Sequence, residues 1–234
     1  MSSSRPVAPL SSLLGFDPHT VPVIGVDTHL PAVSATVLAL PALRERFLRP
    51  PLWEPELLAE PRFTDRAPTP ASVLVPIVCR DEPMVLLTQR TAHLSNHSGQ
   101  IAFPGGKQDP GDRDLTVTAL REAQEEIGLA PDFVDVLGTL PIYKTGSAFI
   151  VTPVVALLRS GFAVARNADE VDEIFEVPLA FLMNPANHRR HAVDWQGQRR
   201  EWLSMPYHDG IAERFIWGAT AGMLRNFYRF LSAR

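Results

Sequence analysis

The chain has a single cysteine, Cys79, among 234 residues. That excludes an internal disulfide framework and a cysteine-rich zinc site built by one chain. It points instead to a reducing compartment such as the cytoplasm. Long hydrophobic runs are also missing: none approaches the roughly 20 residues that span a bilayer, so no membrane association is expected. The opening residues, MSSSRPVAPL, lack the basic start and apolar stretch of a secretory signal. There is no excess of positive charge. Lys plus Arg number 22 against 26 Asp plus Glu, for a formal net charge of −4. This argues against nucleic acid as a partner while leaving room for a local basic pocket. No internal repeat is evident. Collagen, coiled coil and wholly disordered chain are excluded by a composition of 45% hydrophobic and 21% charged residues. The length suits one domain with an extension, large enough to bury its own core.

Proline is plentiful, with 22 in the chain, and it clusters early, from Pro6 to Pro70. Proline blocks helix interiors and central strands. Residues 1–70 are therefore expected to be an arm with short helices outside the core, the best piece being Ala42–Leu48. From 71 to 234 the texture is that of a domain. Ala71–Cys79 and Met84–Gln89 read as strands joined by a hairpin connection at Asp81–Pro83. A polar loop, Arg90–Gln100, leads to the Gly-rich turn Phe103–Lys107. Residues 115–127 follow helical periodicity, and Val134–Leu140, Phe149–Leu158 and Ile174–Val177 read as strands. Arg189–Trp195 and Arg200–Met205 form a hairpin around Gln196–Gly197. Apolar residues from Ile216 to Leu231 recur at helical spacing. The pattern predicts mixed α/β packing in layers.

The informative segment is Leu115–Leu129. At about 100° per residue, Thr116, Leu120, Ala123 and Ile127 share one side of a helix. Glu122, Glu125 and Glu126 fall on another at i, i+3, i+4 spacing, which makes neighbours of three like charges. Gly128 supplies a stop. The bland explanation is a solvated acidic face. Against it stand Arg121 beside the cluster, a well-formed apolar side that docks the helix, and the Pro104–Gly106 turn, which brings bare backbone close. A hard divalent cation, Mg²⁺ or Mn²⁺, fits such an oxygen-rich set.

Gly106, Arg121, Glu122, Glu125, Glu126, Gly128 and Leu129 resemble the box of the Nudix hydrolases, G-x5-E-x7-R-E-U-x-E-E-x-G-U, where U is a bulky aliphatic residue. Three positions depart from it. Ala123 is small at a U position, Asp112 stands for the first glutamate, and one extra residue separates it from Arg121. Upstream, Leu87, Thr88, Arg90, Gly99, Phe103, Pro104, Gly105 and Gly106 are similar to the signature of the coenzyme A diphosphatase branch. Thr91 and Ser95 do not match, and Ser95 replaces a basic residue. The run Ile216–Asn226 is also similar to that branch. The resemblance spans about residues 70–234.

The resemblance implies an α/β/α sandwich, with a mixed sheet flanked by helices and the acidic helix beside it. It implies metal-dependent hydrolysis of the diphosphate bond of coenzyme A or its derivatives, giving 4′-phosphopantetheine and adenosine 3′,5′-bisphosphate. Glu122, Glu125 and Glu126 would hold Mg²⁺ or Mn²⁺ with the Gly106 carbonyl, one of them acting as base, and Arg121 would orient them. Arg90 would contact phosphate, beside the bare Gly105 backbone. Lys107 is either a second phosphate contact or a solvated turn lysine. Glu170 and Glu173 are candidates for one more carboxylate from the acidic run before a strand. His93 and His97 are not needed by a carboxylate site. Ser98 and Cys79 have no visible base, which speaks against covalent catalysis. The Trp217–Leu231 stripe reads as core or as a homodimer surface. Two other functions stay open: a Nudix hydrolase for another substrate, such as a nucleotide sugar, a dinucleotide or a damaged nucleotide, and a nucleotide-sensing module that binds without turnover. The intact carboxylate set speaks against the sensor.

Overall fold

A computed structural model describes residues 17–91, 99–195 and 197–233. In chain order the strands are β1 (Val23–Val26), β2 (Thr69–Cys79), β3 (Pro83–Arg90), β4 (Ile101–Ala102), β5 (Gly105–Lys107), β6 (Val134–Thr139), β7 (Tyr143–Lys144), β8 (Phe149–Leu158), β9 (Val171–Pro178), β10 (Arg189–Trp195), β11 (Gln198–His208) and β12 (Glu213–Trp217). The helices are α1 (Ala35–Leu38), α2 (Leu40–Leu48), α3 (Leu115–Ile127), α4 (Leu179–Leu182) and α5 (Gly218–Ser232).

The larger sheet runs β4-β3-β2-β8-β6, with β5 also pairing β2, β7 pairing β8 and β9 pairing β3. β2 and β8 are parallel, from Thr69 opposite Phe149 to Val78 opposite Leu158. The other pairings in this sheet are antiparallel, which makes it mixed. β2 is apolar on both faces. Leu74 and Val78 join one core cluster, and Ala71, Val75 and Ile77 the other. Burial on both sides is why its sequence reads as a nearly continuous apolar run.

α3 covers one face. Its Ala119, Ala123 and Ile127 pack with Leu74, Val78, Leu86 and Val154. Burying Ile127 alone contributes roughly 1.5–3 kcal/mol. The two alanines let the helix lie close to β2 and β5. The Asp114 side chain caps the start by accepting from the Val117 N–H, and Gly128, at φ 65°, ends the helix by donating to the Ala123 and Gln124 carbonyls. The opposite face carries α2, α5 and residues of a second sheet, β1-β10-β11-β12. The hairpin expected around Gln196–Gly197 is present, in register from Arg189 opposite Ser204 to Trp195 opposite Gln198. No helix among the described residues is long and apolar enough to cross a membrane.

Two expectations give way. Residues 1–70 were read as an arm outside the core, yet Leu38 and Leu43 are buried in it and β1 pairs with β10. Proline does not bar this, because Pro41 sits in the first turn of α2, where its missing N–H costs nothing. Arg46 of α2 then donates to the Leu231 and Ala233 carbonyls at the end of α5. Second, Ile216 and Trp217 belong to β12, not to the C-terminal helix, because pairing with Met205 and Ser204 completes the second sheet. The helix proper supplies core residues: Met223, Leu224, Phe227, Phe230 and Leu231 are all buried.

Candidate functional site

β5 is three residues long because its only role in the sheet is to lay the Gly105–Gly106 backbone against β2. Gly105 pairs with Val73, Gly106 with Ser72 and Lys107 with Ala71. Pro104 anchors the approach by accepting from the Leu74 N–H. This places bare backbone directly under α3. A Cβ on Gly106 would lie 2.5 Å from the Glu122 carboxylate. The Gly105 N–H donates to Glu126 Oε2 at 3.1 Å.

The three glutamates are not equivalent. Glu126 is 3% exposed, the Glu122 side chain is mostly buried, and the Glu125 side chain is 57% exposed. Periodicity put Thr116, Leu120, Ala123 and Ile127 on the docked side, and Leu120 does pack there, partly buried. The helix is rotated so that Thr118, Ala119, Ala123, Glu126 and Ile127 are the buried set. A glutamate thus lies on the core side, and burial pushes its carboxyl up to about 7; the Gly105 N–H and Arg90 oppose the shift, and the charges of Glu122 and Glu170 add to it. Burial also raises Glu122, against the pull of Arg121.

Arg121 links the cluster to the loop before it. Its Nη1 donates to Glu125 Oε2 at 2.9 Å, and Nη2 lies 3.0 Å from Glu122 Oε1 and donates to the Lys107 carbonyl at 3.0 Å. Nε and Nη2 hold Asp112 at 3.1 and 3.0 Å. The contact forms despite the shorter acid and the extra residue. Hydrogen bonding from Arg121 holds the Asp112 carboxyl well below its usual range.

Arg90 lies at the end of β3, with its Nη1 3.5 Å from Glu126 Oε1. The next residue, Thr91, draws in the acidic run: its N–H donates to the Glu170 carbonyl and its hydroxyl to that of Asp169. The Asn167 N–H donates to the Glu126 carbonyl. These bonds place Glu170 beside the cluster, near enough for its charge to act on Glu122 and Glu126. The sequence did not flag these contacts of Thr91 and Asn167, since each is made to backbone partners that no spacing reveals.

Glu173 takes a different course. It shares a sheet face with Phe175 and Val177, away from α3, and both its oxygens are bonded by Arg214 at 2.5 and 2.6 Å. Lys107 likewise leaves from the face of Ala71, with its ammonium 5.9 Å from the centre of the Phe149 ring. Cys79 is half-buried, and burial raises its thiol, so it is a poor nucleophile. His93, Ser95, His97 and Ser98 lie outside the described residues.

The donor set beside Gly105–Gly106 is all oxygen and short of positive charge at its buried end, which suits a hard divalent cation. Among the described residues, no three acidic or imidazole side chains already converge to encage an ion. Glu122 and Glu125 are both bonded to Arg121.

The sequence profile of the NUDIX domain matches residues 68–196. The protein named uncharacterized Nudix hydrolase NudL from Pectobacterium atrosepticum is 43% identical over 166 residues, covering 70% of this chain and 83% of its own. Its namesake from Yersinia pestis (strain Pestoides F) is 40% identical over 163 residues, covering 69% and 79%. Among solved structures, an Ap4A hydrolase binary complex from C. elegans is similar with a TM-score of 0.41 and 24% identity, over 50% of this chain and 85% of that one.

Proposed function

The chain belongs to the Nudix hydrolase family, and from that premise we propose that it hydrolyses the diphosphate bond of coenzyme A or its derivatives with the help of Mg²⁺ or Mn²⁺. Nudix hydrolases act on pyrophosphate bonds in nucleoside diphosphate-linked compounds and use divalent cations. The observation that carries the site assignment is Glu126: a nearly buried carboxylate, facing the Gly105 N–H, with acidic neighbours and, among the described residues, one guanidinium at 3.5 Å. A protein keeps such a group under-compensated where a cation is to be bound.

In this reading Glu122, Glu125 and Glu126 hold the cation together with the Gly106 carbonyl, and Glu170 is the better placed of the two extra carboxylates. Glu173, tied to Arg214, is set aside. A cation held by these residues would polarise the diphosphate and lower the pKa of the attacking water. Arg121, bonded to both Glu122 and Glu125, would orient them for the cation. Arg90, 3.5 Å from Glu126, would be the contact for a phosphate oxygen. Water adds across the P–O–P bridge: its oxygen ends on one phosphorus, and the bridging oxygen leaves with the other. The products are 4′-phosphopantetheine and adenosine 3′,5′-bisphosphate.

The coenzyme A assignment rests on the signature residues. Leu87 and Phe103 are core and Thr88 bonds the Ala102 carbonyl, so those three support the fold, while Arg90, Gly105 and Gly106 line the site. Ser95, where the signature has a cation, favours a second reading: a Nudix hydrolase for another diphosphate-linked nucleotide. A panel of coenzyme A, its 3′-dephospho form, a nucleotide sugar and a dinucleotide, at equal free Mg²⁺ or Mn²⁺ with products identified by mass, decides between them. Coenzyme A should be cleaved with the highest kcat/KM and modestly faster than the dephospho form. A nucleotide sugar cleaved far faster would select the second reading, and binding without turnover would select a sensing module.

A further inference from the structure

Residue 112 presents a geometric problem that this chain solves locally. The acid there is one methylene shorter than the glutamate of the Nudix box, and an extra residue separates it from Arg121. The carboxylate nevertheless meets Nε and Nη2 of Arg121. Two other donors bring it there. The Asp109 N–H reaches Oδ2 at 3.0 Å, and the Thr118 hydroxyl reaches the same oxygen at 2.9 Å. Thr118 is fully buried on α3, one turn before Glu122. Its only other hydroxyl contact among the described residues is a longer one, 3.3 Å to the Asp114 carbonyl. A hydroxyl bonded to an ionised carboxylate makes a charge-assisted bond, stronger and more directional than a neutral one.

We propose that Thr118 is a positioning residue for the acidic cluster: its hydroxyl makes up for the missing methylene at residue 112 and holds Asp112 where it fixes Arg121, and through Arg121 the carboxylates of Glu122 and Glu125. The proposal rests on the reading of Glu122, Glu125 and Glu126 as the cation-holding set. Removing the hydroxyl orphans nothing, because Asp112 keeps Arg121 and the Asp109 N–H. The role is therefore one of orientation, separable from folding.

The test uses the full chain and reads Mn²⁺ binding by electron paramagnetic resonance without substrate, kcat and KM on coenzyme A, and Tm. Thr118→Val should weaken Mn²⁺ binding and lower kcat by about 10-fold each, the scale of lost outer contacts at metal sites, with KM and Tm little changed. Thr118→Ser should restore both. Adding Asp112→Glu to Thr118→Val should also restore both, since the longer acid spans the gap unaided. The proposal is overturned if Thr118→Val binds Mn²⁺ and turns over like wild type. It is also overturned if the loss follows Tm and neither serine nor Asp112→Glu recovers it. If wild type shows no Mn²⁺ site that Glu126→Gln removes, the reading of the cluster itself fails and the proposal falls with it.

Discussion

Glu126 bears the largest electrostatic cost among the site residues. It is almost fully buried; its partners among the described residues are one backbone N–H at 3.1 Å and a guanidinium at 3.5 Å, the limit of a useful contact. Glu122 and Glu170 add like charge from two sides. Replacing it by glutamine keeps the size and removes a charge that the ion-free protein compensates poorly. In chelator, Glu126→Gln should therefore melt at or above the wild-type temperature, although a buried hydrogen-bonding residue has been changed. Mn²⁺ at about 100 times its Kd should stabilise wild type by about 2.7 kcal/mol, a Tm rise of roughly 5–10 °C for a chain of this size. It should leave the variant's Tm unmoved, and turnover should fall by at least about 100-fold, the scale of losing a charged group that acts on the transition state. Thermal melts with and without Mn²⁺, paired with one assay, check all of this; near-normal turnover of the variant at saturating Mn²⁺ would remove Glu126 from the site. The spacing Glu122, Glu125, Glu126 was legible in the sequence. The inequality among the three was not, because it depends on how α3 is rotated against the sheet, and that is set by Ala119 and Ala123 meeting β2.

At the scale of elements, the site is a contact between α3 and β5, and the two glycines of β5 serve it differently. A Cβ on Gly105 would drive into the β2 backbone, against the Ser72 carbonyl and within 2.6 Å of Val73 Cα. A strand cannot yield there without giving up its pairing. A Cβ on Gly106 meets first the Glu122 carboxylate, the end of a flexible side chain. Gly105→Ala should consequently cost stability on the scale of overpacking, about 1–3 kcal/mol, and Gly106→Ala should cost activity with little change in Tm. Denaturant melts and kcat on the same two proteins separate the cases; equal effects on both quantities would show that the glycines act as one. The Gly-Gly turn was legible as bare backbone near the acidic helix, and β2, β3, α3, β8 and the β10–β11 hairpin were legible from apolar runs and periodicity. β1 and β12 were not. β1 is short and follows Pro22, and β12 continues the apolar stripe of α5, so only pairing across the second sheet defines them. The faces on which Lys107 and Glu173 leave their strands were not legible for a related reason: strand alternation decides the face, and the register that sets it comes from partners distant in sequence.

On the scale of the whole molecule, the amino-terminal segment is tied to the rest through charges buried under α5. Arg225, 1% exposed, donates to Glu56 Oε2 at 2.7 Å and lies 3.0 Å from Asp27 Oδ2. Arg190 meets the same two acids, at 2.9 and 2.7 Å for Asp27 and 2.8 Å for Glu56. His188 completes the network. Arg225 Nη1 can only donate, so Nδ1 accepts at 3.0 Å, and the proton resides on Nε2, 2.8 Å from the Leu182 carbonyl. The ring also meets Tyr228 edge-on. A second proton would have to enter Nδ1 against a guanidinium, inside the core. Burial, with the Arg225 charge added, lowers this histidine from 6.5 to about 4. Burial opposes ionisation of Asp27 and Glu56, but bonds to Arg190 and Arg225 prevail and hold both carboxyls below their usual values. The sign follows from proton counting. Between pH 6.5 and about 4 the unfolded chain protonates His188 and the folded one does not, so the contribution of His188 to stability falls as pH falls through that window, by about 3 kcal/mol at its lower end. Below it Asp27 and Glu56 act in the same direction, because each loses a charge that only the folded state rewards. Glu126, raised to about 7, gains stability as pH falls over the same range and masks the decline. Urea unfolding at steps from pH 7.5 to 5 in the Glu126→Gln background should therefore show it, and adding His188→Asn, which keeps an acceptor for Arg225 but cannot take a proton, should flatten it while lowering stability at pH 7.5. An equally steep slope in the variant would shift the acid sensitivity to other groups and leave His188 as packing alone.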